Sequence, residues 1–95
     1  MPNQDTLLIL LEQLEKEQDN SKQISQTMIS RDLKKFGQKL RHLGEEYRYS
    51  SLLNYAAILN NQLQELDLEN LPKTLKNFTK IIQKLQQLLK SYEID

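Results

Sequence analysis

The sequence predicts an all-α domain, an antiparallel up-and-down four-helix bundle. Three observations carry this expectation. The 95 residues contain two glycines, two prolines and no valine, a composition that suits helices and leaves little for strands. Apolar residues recur at steps of three and four in successive segments, the period that places them along one side of a helix. The connections between segments are short, which makes neighbouring helices antiparallel.

The first helix is expected over residues 5–18, where Leu7, Leu8, Leu10, Leu11 and Leu14 form a broad apolar face. Glu17–Gln23 (EQDNSKQ) is polar and rich in residues that cap helices. Residues 19–29 are therefore expected as a bend or a short helix, with Ile24 and Met28 extending the apolar face. The second helix spans 30–47 on the stripe Ile29, Leu33, Phe36, Leu40, Leu43 and Tyr47, with Ser30 as its cap and Asp32 in its first turn. The third spans 51–66 on Leu52, Ala56, Leu59, Leu63 and Leu66, capped by Ser50 or Ser51. The fourth spans 68–91 on Leu71, Leu75, Phe78, Ile82, Leu85 and Leu89, capped by Asp67, with Glu69 close behind and Pro72 early, where proline is least harmful.

Helices this short are marginal alone in water. Packing the four stripes together removes them from solvent at roughly 25 cal/mol per Å². The competing arrangement is a helical hairpin that completes its bundle by dimerising. Gly37 and Gly44 interrupt the second helix, each costing about 0.5–1 kcal/mol against alanine. They lie seven residues apart, on one side of Leu40 and Leu43. This spacing predicts close approach of a neighbouring helix; the functional alternative is a gap that admits a partner.

Residues 1–95 make one domain. Thirteen basic and thirteen acidic side chains cancel, which argues against nucleic acid as a general partner. There is no cysteine, so neither disulfides nor thiolate metal sites can form. No apolar run is long enough to insert into a membrane, and LLILL (Leu7–Leu11) lacks the basic start and small-residue cleavage site of a signal peptide. A cytoplasmic location is the default expectation. One histidine cannot supply the paired Glu-x-x-His motifs of a di-iron bundle. No metal, no cofactor and no enzymatic activity of the isolated domain are expected. Ser50 and Ser51 read as caps rather than nucleophiles, and no buried acid is placed to orient His42. The four tyrosines read as core-edge residues.

The side of the second helix opposite its apolar stripe carries Arg31, Lys34, Lys35, Gln38, Arg41, His42, Glu45 and Arg48, of which five are permanently cationic. The plain reading is a solvated charged face. The sharper reading is a docking face for an acidic protein partner, because a local basic patch steers association. Residues 1–20 carry five acids and one lysine, and part of this asymmetry can neutralise within the bundle. Lys73, Lys76, Lys80 and Lys84 share one side of the last helix and read as a solubilising flank; a phosphate or lipid site is the alternative.

Two stretches, MISRDLKKFGQKLRHLGEEYRYSSLLNYAAIL (Met28–Leu59) and LDLENLPKTLKNFTKII (Leu66–Ile82), carry a family resemblance. They resemble the C-terminal module of some bacterial hybrid sensor histidine kinases, itself similar to histidine phosphotransfer (HPt) domains. The shared features are a Phe-Gly-x-x-Leu-x-x-Leu-Gly-x-x-Tyr core and an Asp-Leu-Glu-x-Leu turn, mostly core and cap positions. The resemblance runs from Ile29 to Leu85, about 60 of the 95 residues. The resemblance implies an HPt-like bundle at the end of a longer chain, acting in two-component phosphorelay signalling. HPt domains carry their phosphorylatable histidine in a His-x-Leu-Lys-Gly pattern. Matching that pattern here puts Gln38 at the histidine, Leu40 at the leucine, Arg41 at the lysine and His42 at the glycine. Glutamine cannot accept a phosphoryl group, since its amide nitrogen is not nucleophilic. The resemblance therefore implies a non-catalytic interaction module. Arg31, Lys34, Lys35, Gln38, Arg41, His42 and Glu45 would dock a response-regulator receiver domain or a histidine kinase domain. The alternatives are phosphotransfer through His42 and a helical module that self-assembles, for example as a homodimer.

Overall fold

Asn3 starts the first helix: its side-chain oxygen accepts the Thr6 N–H at 2.8 Å. The computed structural model describes residues 3–93, and all of its regular elements are α-helices. Its elements are α1 (Gln4–Thr27), α2 (Ser30–Glu46), α3 (Ser50–Glu65), α4 (Leu71–Lys76) and α5 (Phe78–Glu93). They make four rods, the last one divided at Asn77.

The first helix corrects the expected bend at residues 19–29. It continues to Thr27 because Leu7, Leu10, Leu14, Glu17, Ser21 and Ile24 are all buried at alternating steps of three and four. The stripe passes through two polar side chains. Glu17–Gln23 also contains neither glycine nor proline to stop a helix. The serine caps are corrected too. Ser30 and Ser50 are the first residues inside α2 and α3, behind Ile29 and Tyr49, which make no side-chain cap bond. The Ile29 and Tyr49 carbonyls accept the first intrahelical bonds, from the Leu33 and Leu53 N–H groups at 3.0 and 3.2 Å.

The expected helix 68–91 begins at Leu71 and is broken once. Asp67 accepts the Asn70 N–H at 3.2 Å and the Asn70 side-chain amide at 2.9 Å. It thus caps a turn ahead of the helix, and the Asn70 amide holds its carboxyl below the usual range. The break follows Thr74, whose hydroxyl donates to the Asn70 carbonyl at 3.2 Å, a back-bond that bends helices. The Asn77 N–H is then shared between the Lys73 and Thr74 carbonyls at 3.2 and 3.1 Å.

No glycine ends a helix. Met28, Arg48 and Leu66 take the left-handed conformation, with φ of 53°, 52° and 55°. Around Arg48, the Tyr49 N–H reaches the Gly44 carbonyl at 3.0 Å, and around Leu66 the Asp67 N–H reaches the Gln62 carbonyl at 2.9 Å. Both are the six-to-one closures of Schellman turns.

Both glycines lie inside α2 instead, where α3 packs closest. A Cβ on Gly37 would collide with the Asn60 side chain, and one on Gly44 would lie 2.9 Å from the Leu53 side chain. The expected close approach is present, and α3 side chains fill the gap. The pairs Gly37–Asn60 and Gly44–Leu53 run in opposite chain directions, so α2 and α3 are antiparallel. Glu17–Lys39 ties α1 to α2, and Tyr55–Thr74 ties α3 to α4.

The four stripes meet in one core. Phe36 and Phe78 pack edge to face with centroids 5.2 Å apart. Tyr55 packs beside Phe78 and donates its hydroxyl to the Thr74 carbonyl at 2.5 Å. Every expected core position of the last helix is buried. Ile29 and Leu66 are corrections, at 51% and 73% exposed, because each falls in a connection rather than inside a helix.

Candidate partner-docking face

Helix α2 presents its charged residues because its opposite side is committed to the core. Leu33, Phe36, Leu40 and Leu43 are buried, and Gly37 and Gly44 face α3. The 3.6-residue period then turns positions 31, 34, 35, 38, 41, 42 and 45 outward. Arg31, Lys34, Lys35, Gln38, Arg41, His42 and Glu45 are all exposed. Gln38 sits at the middle of this arc. Lys34 and Arg41 lie on the side toward α3, and Lys35 and His42 on the side toward α1.

The seven residues are not equivalent. Arg41 Nε donates to Glu45 Oε1 at 2.9 Å, one turn along the helix, so part of the Arg41 charge is neutralised locally. Exposed pairs of this kind are worth about 0.3–0.5 kcal/mol. Among the described residues, no ion pair engages Arg31, Lys34 or Lys35, and no hydrogen bond or ion pair engages the His42 ring. Lys39, also on α2, is turned away from the arc and pairs with Glu17 of α1 at 2.6 Å.

The arc borders a cleft that periodicity within one helix could not reveal. Lys34 and Gln38 line it from α2, and Asn60, Leu63 and Leu66 from α3 and its end. The Asn60 side-chain amide points at the Gly37 carbonyl, 3.4 Å away. The cleft exists because Gly37 brings α3 against α2, while the left-handed turn at Leu66 leaves that leucine in solvent. The glycine spacing predicts close approach of a neighbouring helix, and the structure shows that helix to be α3. Nothing in the stripe of α3 marked Leu66 as exposed.

Among the described residues, no group of three or more histidine, cysteine or acidic side chains could hold a metal ion. No described helix is long and apolar enough to cross a membrane. Comparison with protein families, curated proteins and solved structures finds no match to this chain.

Proposed function

We propose that this chain is a non-catalytic, HPt-like interaction module of a cytoplasmic two-component pathway, docking a receiver or histidine kinase domain through α2. One observation carries the reading. Gln38, which the sequence resemblance places at the phospho-acceptor position, is exposed at the centre of a cationic arc beside an open cleft. An acceptor position must be reachable by an incoming domain, and this one is. The surrounding cations suit the acidic surface of such a partner. The Gln38 amide supplies donors and an acceptor for contact but no nucleophile.

Arg31, Lys34 and Lys35 are the cations free to steer encounter, while Arg41 and Glu45 hold each other in place. Leu63 and Leu66 give the cleft an apolar side against which a partner side chain can be desolvated. Titration with a receiver domain, with and without the reversals Lys34→Glu and Lys35→Glu, tests the reading. The reversals are expected to weaken binding by about tenfold or more, chiefly through slower association. Unchanged affinity would remove the docking face.

A further inference from the structure

We infer that a second copy of this chain is a partner, seating its acidic helix α1 in the groove between α3 and α5. Helix α5 packs along α1, whereas α3 meets the last rod mainly through α4. The space left between α3 and α5 has an apolar floor of Ile58, 52% exposed, and half-buried Ile81. Lys80 and Lys84 form its rim, and Leu88 and Tyr92, both exposed, continue it along α5. From Asn70 to Tyr92 the chain has five lysines and no acid. Among the described residues, no ion pair engages Lys80 or Lys84.

A trough with an apolar floor and a cationic rim fits an acidic amphipathic helix, a rod, better than a flat bilayer. Helix α1 has that chemistry. Asp5, Glu12, Glu15 and Asp19 are exposed on it, against Lys16 and Lys22. Leu8 and Ile9, 43% and 48% exposed, lie among the acids. Leu8, Glu12, Glu15 and Asp19 follow steps of four, three and four and so form one stripe. The remaining acid of α1, Glu17, is buried and is neutralised by Lys39. The whole chain has no net charge, so two copies approach without general repulsion and opposite faces can select each other. None of these residues belongs to the α2 arc, so the contact stands or falls independently of receiver docking.

Sedimentation equilibrium with charge-swapped chains tests the contact. The wild-type chain is expected to gain mass with concentration at low salt and to lose that gain at high salt. Lys80→Glu with Lys84→Glu, and separately Glu12→Lys with Glu15→Lys, are expected to weaken self-association by about tenfold. All four positions are exposed, so both variants should keep wild-type helicity by circular dichroism. An equal mixture of the two variants is expected to regain association, because each acidic helix then meets a basic groove. A wild-type chain that stays monomeric overturns the inference, as does a mixture that associates no better than its parts. Monomers that co-sediment with anionic phospholipid vesicles, and lose this with the lysine reversals, would overturn it in favour of a membrane surface.

Discussion

Lys39 Nζ lies 2.6 Å from Glu17 Oε1, and this ion pair ties α2 to the buried stripe of α1. The carboxylate is almost wholly enclosed, while the lysine keeps 56% of its side chain in solvent. The two ends therefore respond differently to removal. Lys39→Met leaves a buried carboxylate without its cation and is expected to cost about 1–3 kcal/mol. Glu17→Met with Lys39→Met continues the apolar stripe of α1 and is expected to be as stable as the wild type or more so. Urea unfolding of the single and double variants checks this.

The two glycines of α2 are expected to resist alanine, despite alanine's helix preference of about 1 kcal/mol. At Gly44 the added methyl meets the Leu53 side chain at 2.9 Å and its backbone nitrogen at 3.2 Å. Backbone cannot swing aside, so overpacking of about 1–3 kcal/mol should outweigh the preference. At Gly37 the obstacle is the end of the Asn60 side chain, which can rotate. Thermal unfolding should therefore rank Gly44→Ala below Gly37→Ala.

Leu66→Gly should stabilise the fold. The left-handed conformation costs a non-glycine residue about 1–2 kcal/mol, and the exposed Leu66 side chain has little burial to lose. Part of the gain is offset by the greater freedom of glycine in the unfolded chain, leaving about 0.5–1 kcal/mol. Met28→Gly relieves the same conformation but removes a side chain packed against the core. It should gain less in the same denaturation assay.

The alkaline limit of stability should carry a contribution from Tyr55. Burial raises its phenol above the ordinary value. The folded state therefore keeps a proton that the unfolded state releases above about pH 10. Stability from this group is complete below that pH and falls as pH rises further, by up to about 1.4 kcal/mol per unit. Tyr55→Phe removes the hydroxyl bonded to the Thr74 carbonyl and is expected to cost about 1–2 kcal/mol at neutral pH. It should also flatten the alkaline decline measured by urea titration between about pH 9 and 12.

The sequence revealed the helical class and most of the core because apolar period and burial share one cause. The six-residue stripe of the last helix is buried throughout. The outward arc of α2 was legible for the same reason, as the complement of its stripe. The continuation of α1 was hidden because Glu17 and Ser21 occupy core positions with polar side chains, and the cation that makes Glu17 tolerable comes from another helix. Helix ends were hidden because Met28, Arg48 and Leu66 do what glycine usually does, while the glycines serve packing. The cleft beside Gln38 needs two helices at a known separation, and no period along one helix supplies that.

Phosphate transfer from a labelled receiver domain is the most direct test of the central claim, that α2 docks such a domain without accepting its phosphoryl group. The wild-type chain is expected to bind the receiver yet take up no acid-labile label. Label that accumulates on the wild-type chain and disappears in His42→Ala would contradict the claim and make His42 a working acceptor.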